Sequence, residues 1–349
     1  MTTGDAGPPV IGAPIAPVTR VDIWIWFATA VALGLVIKLH LLSALFAGLL
    51  VYKLVDMLTP WLRLRALGHD GPRLLAVTLI AAAVVAALVG LGVGVATLLR
   101  NSGESVPQLM QRMAQIIEES RDQFPPALLA YLPEDANALQ RTIVDALREH
   151  AGSLQVAGRG IGRTIVHILM GMIIGALLSL RKATQPIDRR PFSADIAQRA
   201  ARFASVFQRV VFAQVWISLI NTFFTWLYLD LVLRLFGIEI PLVNILVALT
   251  FFVGLIPIIG NLISNTAITI VSLSQGLPVA AISLAYLVII HKLEYLLNAR
   301  IIGSHINARA WELLTIMLIM QAAFGIPGLI AAPVFYAYFK EELKEKGLV

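Results

Sequence analysis

Along its length the chain alternates long apolar stretches with short polar links. Six runs, Asp22–Ile37, Leu41–Leu58, Leu74–Leu99, Ile161–Leu180, Val210–Phe236 and Leu277–Leu297, come near the roughly 20 residues that span a hydrocarbon core as a helix. Two more apolar segments, Pro241–Ser274 and Trp311–Tyr338, are interrupted by proline and glycine. The pattern predicts an all-α, polytopic integral membrane protein with about eight hydrophobic segments. Two of those segments are expected to be broken helical hairpins.

In the first broken segment Pro257 removes a backbone donor and crowds the preceding turn, and Gly260 lets the chain turn where a side chain would not fit. Gly325, Pro327, Gly328 and Pro333 repeat that grammar near the C-terminus. Arms of about 13 to 17 residues fall short of a full crossing, so both segments are expected to re-enter the membrane. Backbone freed by such a break is tolerated in lipid only where protein or a wet cavity satisfies it. Paired broken segments are where transporters build their binding sites.

The links sort by charge. Residues 59–73 carry Arg63, Arg65 and Arg73, and residues 181–209 carry Arg181, Lys182, Arg189, Arg190, Arg199, Arg202 and Arg209. The positive-inside rule puts both links in the cytoplasm. Between the third and fourth runs, Leu109, Met113, Ile116 and Ile117 share one helical face behind Ser105 and Pro107. Leu139, Ile143, Val144 and Leu147 share another, beyond Pro125, Pro126 and Pro133. That region predicts an outer amphipathic helical insertion, lying along the membrane or against neighbouring subunits. The resulting organisation is a disordered cytoplasmic tail over 1–19, N-terminal transmembrane helices over 20–99 and the extracytoplasmic insertion over 100–158. There follow the fourth span with its basic cytoplasmic loop over 159–209, a core with both broken hairpins over 210–339 and a charged tail over 340–349.

Composition agrees with the membrane class. Hydrophobic residues make up 58% of the chain, charged residues 14%, and mean hydropathy is +0.82, against about a quarter charged in soluble domains. The net charge of +6 is accounted for by basic cytoplasmic links and calls for no nucleic-acid partner; the lipid bilayer is the expected one. The chain contains no cysteine, which excludes disulfides, thiolate metal sites and thiol catalysis. It has no Walker A sequence, no HExxH spacing and no nucleophile elbow. An enzyme is therefore not expected, and neither is a metal or a cofactor.

Polar residues inside the apolar runs carry the candidate chemistry. Gln214, Ser218, Asn221 and Thr225 follow at steps of four, three and four and share one face of the fifth run. They read either as interhelical glue, about 0.6 kcal/mol per contact, or as the wall of a substrate path. Asn261, Asn265 and Thr269 repeat the pattern beside the first break, where they either line a path for a neutral polar solute or cap a broken helix. His291, Glu294 and Asn298 step along the end of another run, near Lys292 and Arg300. Glu294 and Asp230 are the carboxylates a cation/proton antiporter would use, and Glu294 is equally placed for pairing with Lys292 or Arg300. The Gly90/Gly94 and Gly171/Gly175 pairs have the GxxxG spacing of close helix packing.

The words IPIIG (Ile256–Gly260), LEYLLNARIIG (Leu293–Gly303) and GIPGLIAAP (Gly325–Pro333), together with Gln214, resemble the autoinducer-2 exporter family of bacterial permeases. The chain departs from that pattern at Asn261, where the family usually has proline, and at Tyr295, which follows Glu294 where asparagine is usual. The resemblance implies a multi-pass secondary transporter of the bacterial inner membrane, N-terminus cytoplasmic, that exports autoinducer-2 or exchanges sodium for protons. It implies a homo-oligomer, a pentamer, with elevator-like movement of the hairpin-bearing region. H+ or Na+ would be the coupling ion. A non-transport envelope scaffold acting through residues 100–158 is the remaining alternative.

Overall fold

The computed structural model describes residues 18–62, 71–87, 89–90, 93, 151–184, 191–256, 259–301 and 309–348. Residues 100–150 of the insertion, Pro257, Gly94, and Arg63, Arg65, Arg189 and Arg190 lie outside the described residues, as do the side chains of residues 293–301. The described residues are helical: α1 (Arg20–Lys38), α2 (Leu42–Leu58), α3 (Gly71–Ala87), α4 (Ala151–Thr184), α5 (Pro191–Trp226), α6 (Val243–Gly254), α7 (Ile259–Leu273), α8 (Leu277–Ile301) and α9 (Ala310–Glu345). α5 continues through wide π-helical turns, Leu227–Val232, to Leu235. Among the described residues four stretches are by length and composition apolar enough to span a bilayer, Arg20–Lys38, Gly162–Arg181, Ser193–Leu235 and Trp311–Glu345, the last of them broken at Gly325. The protein is a polytopic membrane protein.

Small residues set the first contact. β-carbons at Gly171 and Gly175 would overlap the carbonyls of Ala44 and Gly48, so α2 and α4 touch backbone to backbone. Gly90, the other described GxxxG glycine, would meet nothing with a β-carbon. Val51, Val55, Ala76 and Ile80 close a core joining α2 and α3, with Met172 and Ala176 of α4 against it. The His167 ring on α4 donates from Nδ1 to the His40 carbonyl at 3.1 Å, fixing the α1–α2 turn.

Both broken segments fold back on themselves. A β-carbon at Gly260 would overlap the Val253 carbonyl, an approach that a continuous helix does not make, so α6 and α7 form a hairpin. In α9 the break is Gly325, at φ 67° and ψ −149°. Across it Gly328 meets Met320, while Met317, Leu329 and Ala332 pack together. Tyr336 donates to Glu312 at 2.5 Å and Lys340 pairs with the same carboxylate. α6 and α7, at 12 and 15 residues, reach about 18 and 22 Å against a hydrocarbon core of about 30 Å.

α5 is the spine both hairpins use, from opposite ends. The first packs on its distal half, with Tyr228, Leu229, Leu233, Leu246, Ile268, Val271 and Leu287 in one core. The second packs on its proximal half with α1 and α2, in a core of Leu33, Ile37, Leu42, Phe207, Ala331, Val334 and Phe335.

The base of that second assembly is a buried ionic knot. Arg199 donates to Asp22 and to Glu342, each at 2.5 Å. Arg202 pairs with Glu342 and Glu345, Lys346 reaches Asp22 at 2.9 Å, and the Trp26 indole donates to Glu342 at 3.1 Å. Asp22, Arg199 and Glu342 are 4%, 7% and 2% exposed. Asp22 also closes a capping box with Thr19 at the start of α1. The basic link over 181–209 and the tail over 340–349 thus differ from the sequence expectation. α5 already begins at Pro191, a favoured first helical residue, and α9 runs on to Glu345 because its acidic residues meet α5's arginines.

Candidate functional site

The last carbonyls of a helix have no partner within it. At the end of α6 the partners come from α5. The Gln214 amide donates to the Gly254 carbonyl at 2.8 Å, and the Ser218 hydroxyl to the Phe251 carbonyl at 2.6 Å. Gly254 sits close against this contact, since a β-carbon there would lie 2.8 Å from Ser218 Oγ. Two members of the polar stripe therefore hold a broken helix end in place.

One turn further along α5 the stripe meets the start of α7. Asn221 Nδ2 donates to Asn261 Oδ1 at 3.0 Å, and Asn261 Nδ2 faces His291 Nδ1 of α8 at 3.1 Å. Three helices are joined by this line beside the hairpin tip. Thr225 lies one turn beyond Asn221 on α5, and Asn265 one turn beyond Asn261 on α7. Thr225 is buried and Asn265 half-buried. The Thr269 hydroxyl, two turns beyond Asn261, is buried with no hydrogen-bond partner among the described residues.

The electrostatics are sparse. α6, α7 and α5 from Gln214 to Leu229 contain no acidic or basic residue, so what they present is amide, hydroxyl and carbonyl. Tyr228 and Tyr286 stack at 4.0 Å; Tyr228 bonds Ser283 at 3.0 Å and Tyr286 donates to the Phe224 carbonyl at 3.1 Å. These contacts fasten α8 to α5 where its turns widen, and such widened turns often mark functional sites. Asp230 pairs with Arg234 at 3.3 Å, beyond the polar line. No cluster of three or more metal-ligating side chains occurs among the described residues.

The structure brings Gln214, Ser218, Asn221 and Asn261 together around the turn at Gly260, and Thr225, Asn265 and Thr269 lie further along the same two helices. Glu294 and Asn298 lie on α8 beyond His291, with their side chains outside the described residues. Gly325, Pro327, Gly328 and Pro333 belong to the second hairpin, packed against α1, α2 and proximal α5. Only the first hairpin meets the polar stripe among the described contacts. Sequence reasoning noted His291 but did not join it to Asn261. Nor did it find Asp22 and Glu342, although the Thr19–Asp22 spacing is a capping-box signal.

Residues 23–346 match the family model described as AI-2E family transporter. Over 151 residues the chain is 30% identical to YdbI of Bacillus subtilis (strain 168), whose name proposes a transport role for it. That match takes in 42% of this chain and 41% of the relative, so the chain spans less than half of the curated relative it matches.

Proposed function

The chain belongs to the AI-2E family of transporters, and on that premise we propose that it is a bacterial inner-membrane secondary transporter exporting a small polar organic solute such as autoinducer-2. The observation that carries this reading is the line Asn221–Asn261–His291 beside the tip of the first hairpin, where α6, α7 and the Gln214–Leu229 stretch of α5 carry no formal charge. Amides and hydroxyls on that seam suit a neutral, hydroxyl-rich solute, which a charged site would bind less selectively. Two hairpins entering from opposite ends of one spine suit alternating access, in an elevator-like movement around a fixed site. The N-terminus is proposed to be cytoplasmic, the assembly a homo-oligomer, a pentamer, and the driving ion H+ or Na+.

The test is uptake of labelled autoinducer-2, and separately of sodium, into inside-out vesicles under an imposed proton gradient. Accumulation of autoinducer-2 that is lost in Asn261→Ala supports the reading. Sodium exchange without movement of autoinducer-2 would replace it with cation/proton antiport. Asp230 is already tied to Arg234, so antiport would then rest on Glu294 and should be abolished in Glu294→Gln.

A further inference from the structure

The two hairpins are held by different chemistry. The second is tied down by charge. Glu342 takes Arg199, Arg202 and the Trp26 indole, and Asp22 of α1 takes Arg199 and Lys346. Tyr336 and Lys340 close on Glu312 at the mouth of the hairpin. At its bend, a β-carbon on Gly34 of α1 would lie 3.9 Å from the Phe324 ring, about 18 Å along α1 from Asp22. The second hairpin is thus fastened to α1 from base to bend. Sliding it along α1 would part buried charges from their partners, which is strongly unfavourable.

Among the described residues, α5 holds the tip of the first hairpin through uncharged side chains: Gln214 on the Gly254 carbonyl, Ser218 on the Phe251 carbonyl and Asn221 on Asn261. Bonds of this kind exchange for bonds to water or to a hydroxyl at small net cost. α6 and α8 rest on α5, and none of α6, α7 and α8 has a contact of comparable extent with α1, α2, α4 or α9. The base of this hairpin is firmer. Tyr228, Leu229, Leu246, Ile268, Val271 and Leu287 share one apolar core, which joins the hairpin, α8 and the distal part of α5 into one body. Where α5 enters that core it runs through the wide turns Leu227–Val232, and turns of this kind are where helices bend.

We propose that the second hairpin is a fixed part of the molecule, latched to α1 and α5 by buried charge, and that the first hairpin moves with α8, swinging its tip off Gln214 and Ser218 about the wide turns of α5. The proposal rests on the transporter reading and deepens it by giving the two hairpins unequal roles. The swing uncovers the Phe251 and Gly254 carbonyls, which at membrane depth need another partner. Water or a solute hydroxyl takes the place that the two side chains leave.

The chain has no cysteine, so two introduced thiols can carry spin labels for distance measurement by pulsed EPR. The full chain is reconstituted in lipid and mixed with excess unlabelled chain, so that distances between copies drop out. Trp24, Ile326 and Leu262 are 71%, 58% and 69% exposed, on α1, at the bend of the second hairpin and at the tip of the first. Trp24→Cys with Ile326→Cys should give one narrow distance. Trp24→Cys with Leu262→Cys should give a distribution spread over at least one helical turn, about 5 Å. Adding Gln214→Ala and Ser218→Ala should shift the second distribution and leave the first in place. Arg199→Ala should broaden the first and leave the second in place. A first distance as widely spread as the second, or a second distribution that Gln214→Ala and Ser218→Ala do not change, overturns the proposal. The comparison of the two label pairs needs no further substitution, and so stands even if Arg199→Ala fails to fold. No flux enters these distances, so they can fail while autoinducer-2 export stands, and export can fail while they stand.

Discussion

Asp22, Arg199 and Glu342 show how much one buried charge depends on its neighbours. Arg199 bridges the two carboxylates, and all three side chains are removed from water. Taking away one member of such a set leaves an uncompensated charge, which costs about 3–5 kcal/mol. Arg199→Ala is therefore expected to lower the melting temperature of the detergent-solubilised protein sharply. Arg209→Ala is the contrast: Arg209 and Glu341 are both 40% exposed, and exposed pairs contribute about 0–1 kcal/mol, so its melting curve should lie close to that of the unaltered chain. Equal losses in the two variants would contradict the burial described for the knot. Gln214 and Ser218 make a different point about single residues. Their side chains hold carbonyls of α6, while Asn221 and Asn261 form the line to His291.

At the scale of the element, the two breaks work by different means. Gly260 is required by contact, since a β-carbon would overlap the Val253 carbonyl. Gly325 is required by conformation, because a β-carbon there would meet nothing while φ 67° and ψ −149° lie in a region that side chains resist. Gly325→Ala should cost about 1–3 kcal/mol, read as a lower melting temperature, and an unchanged value would mean that the backbone at the bend relaxes freely. The fit of α6 against α5 has its own test. A β-carbon on Gly254 would sit 3.5 Å from that of Ser218, within the separation a disulfide spans, and the chain has no cysteine to interfere. Ser218→Cys combined with Gly254→Cys should cross-link under mild oxidation, seen as resistance of both thiols to alkylation. Free thiols after oxidation would place the hairpin tip elsewhere.

For the whole molecule, the knot brings the beginning of α1, the proximal end of α5 and the end of α9 to one face, while the first hairpin packs around the other end of α5. Protease-cleavable tags at the N- and C-termini should accordingly be cut from the same side of sealed vesicles, and a tag inserted at Gly276, between α7 and α8, from the opposite side. Cleavage of all three from one side would break the arrangement. Much of this was legible in the sequence. The long runs at Asp22–Ile37 and Val210–Phe236 read as helices because in lipid only a helix satisfies its own backbone, and proline with glycine marked both breaks because those residues alter local backbone geometry wherever they occur. The stripe from Gln214 to Thr225 was visible because helical periodicity is also local. What the sequence left open was pairing. Arg199 and Glu342 are 143 residues apart, so Arg199 read as part of a basic loop and Glu342 as part of a tail. Asn221, Asn261 and His291 come from three helices, and nothing in their spacing says that their amides and ring align. Sequence by itself determined the elements, their apolar character and their breaks, because these follow from chemistry within a turn or two of each residue. Only the tertiary structure decided which polar groups meet, because that depends on how separate helices stack and on which donors and acceptors the packing leaves facing one another.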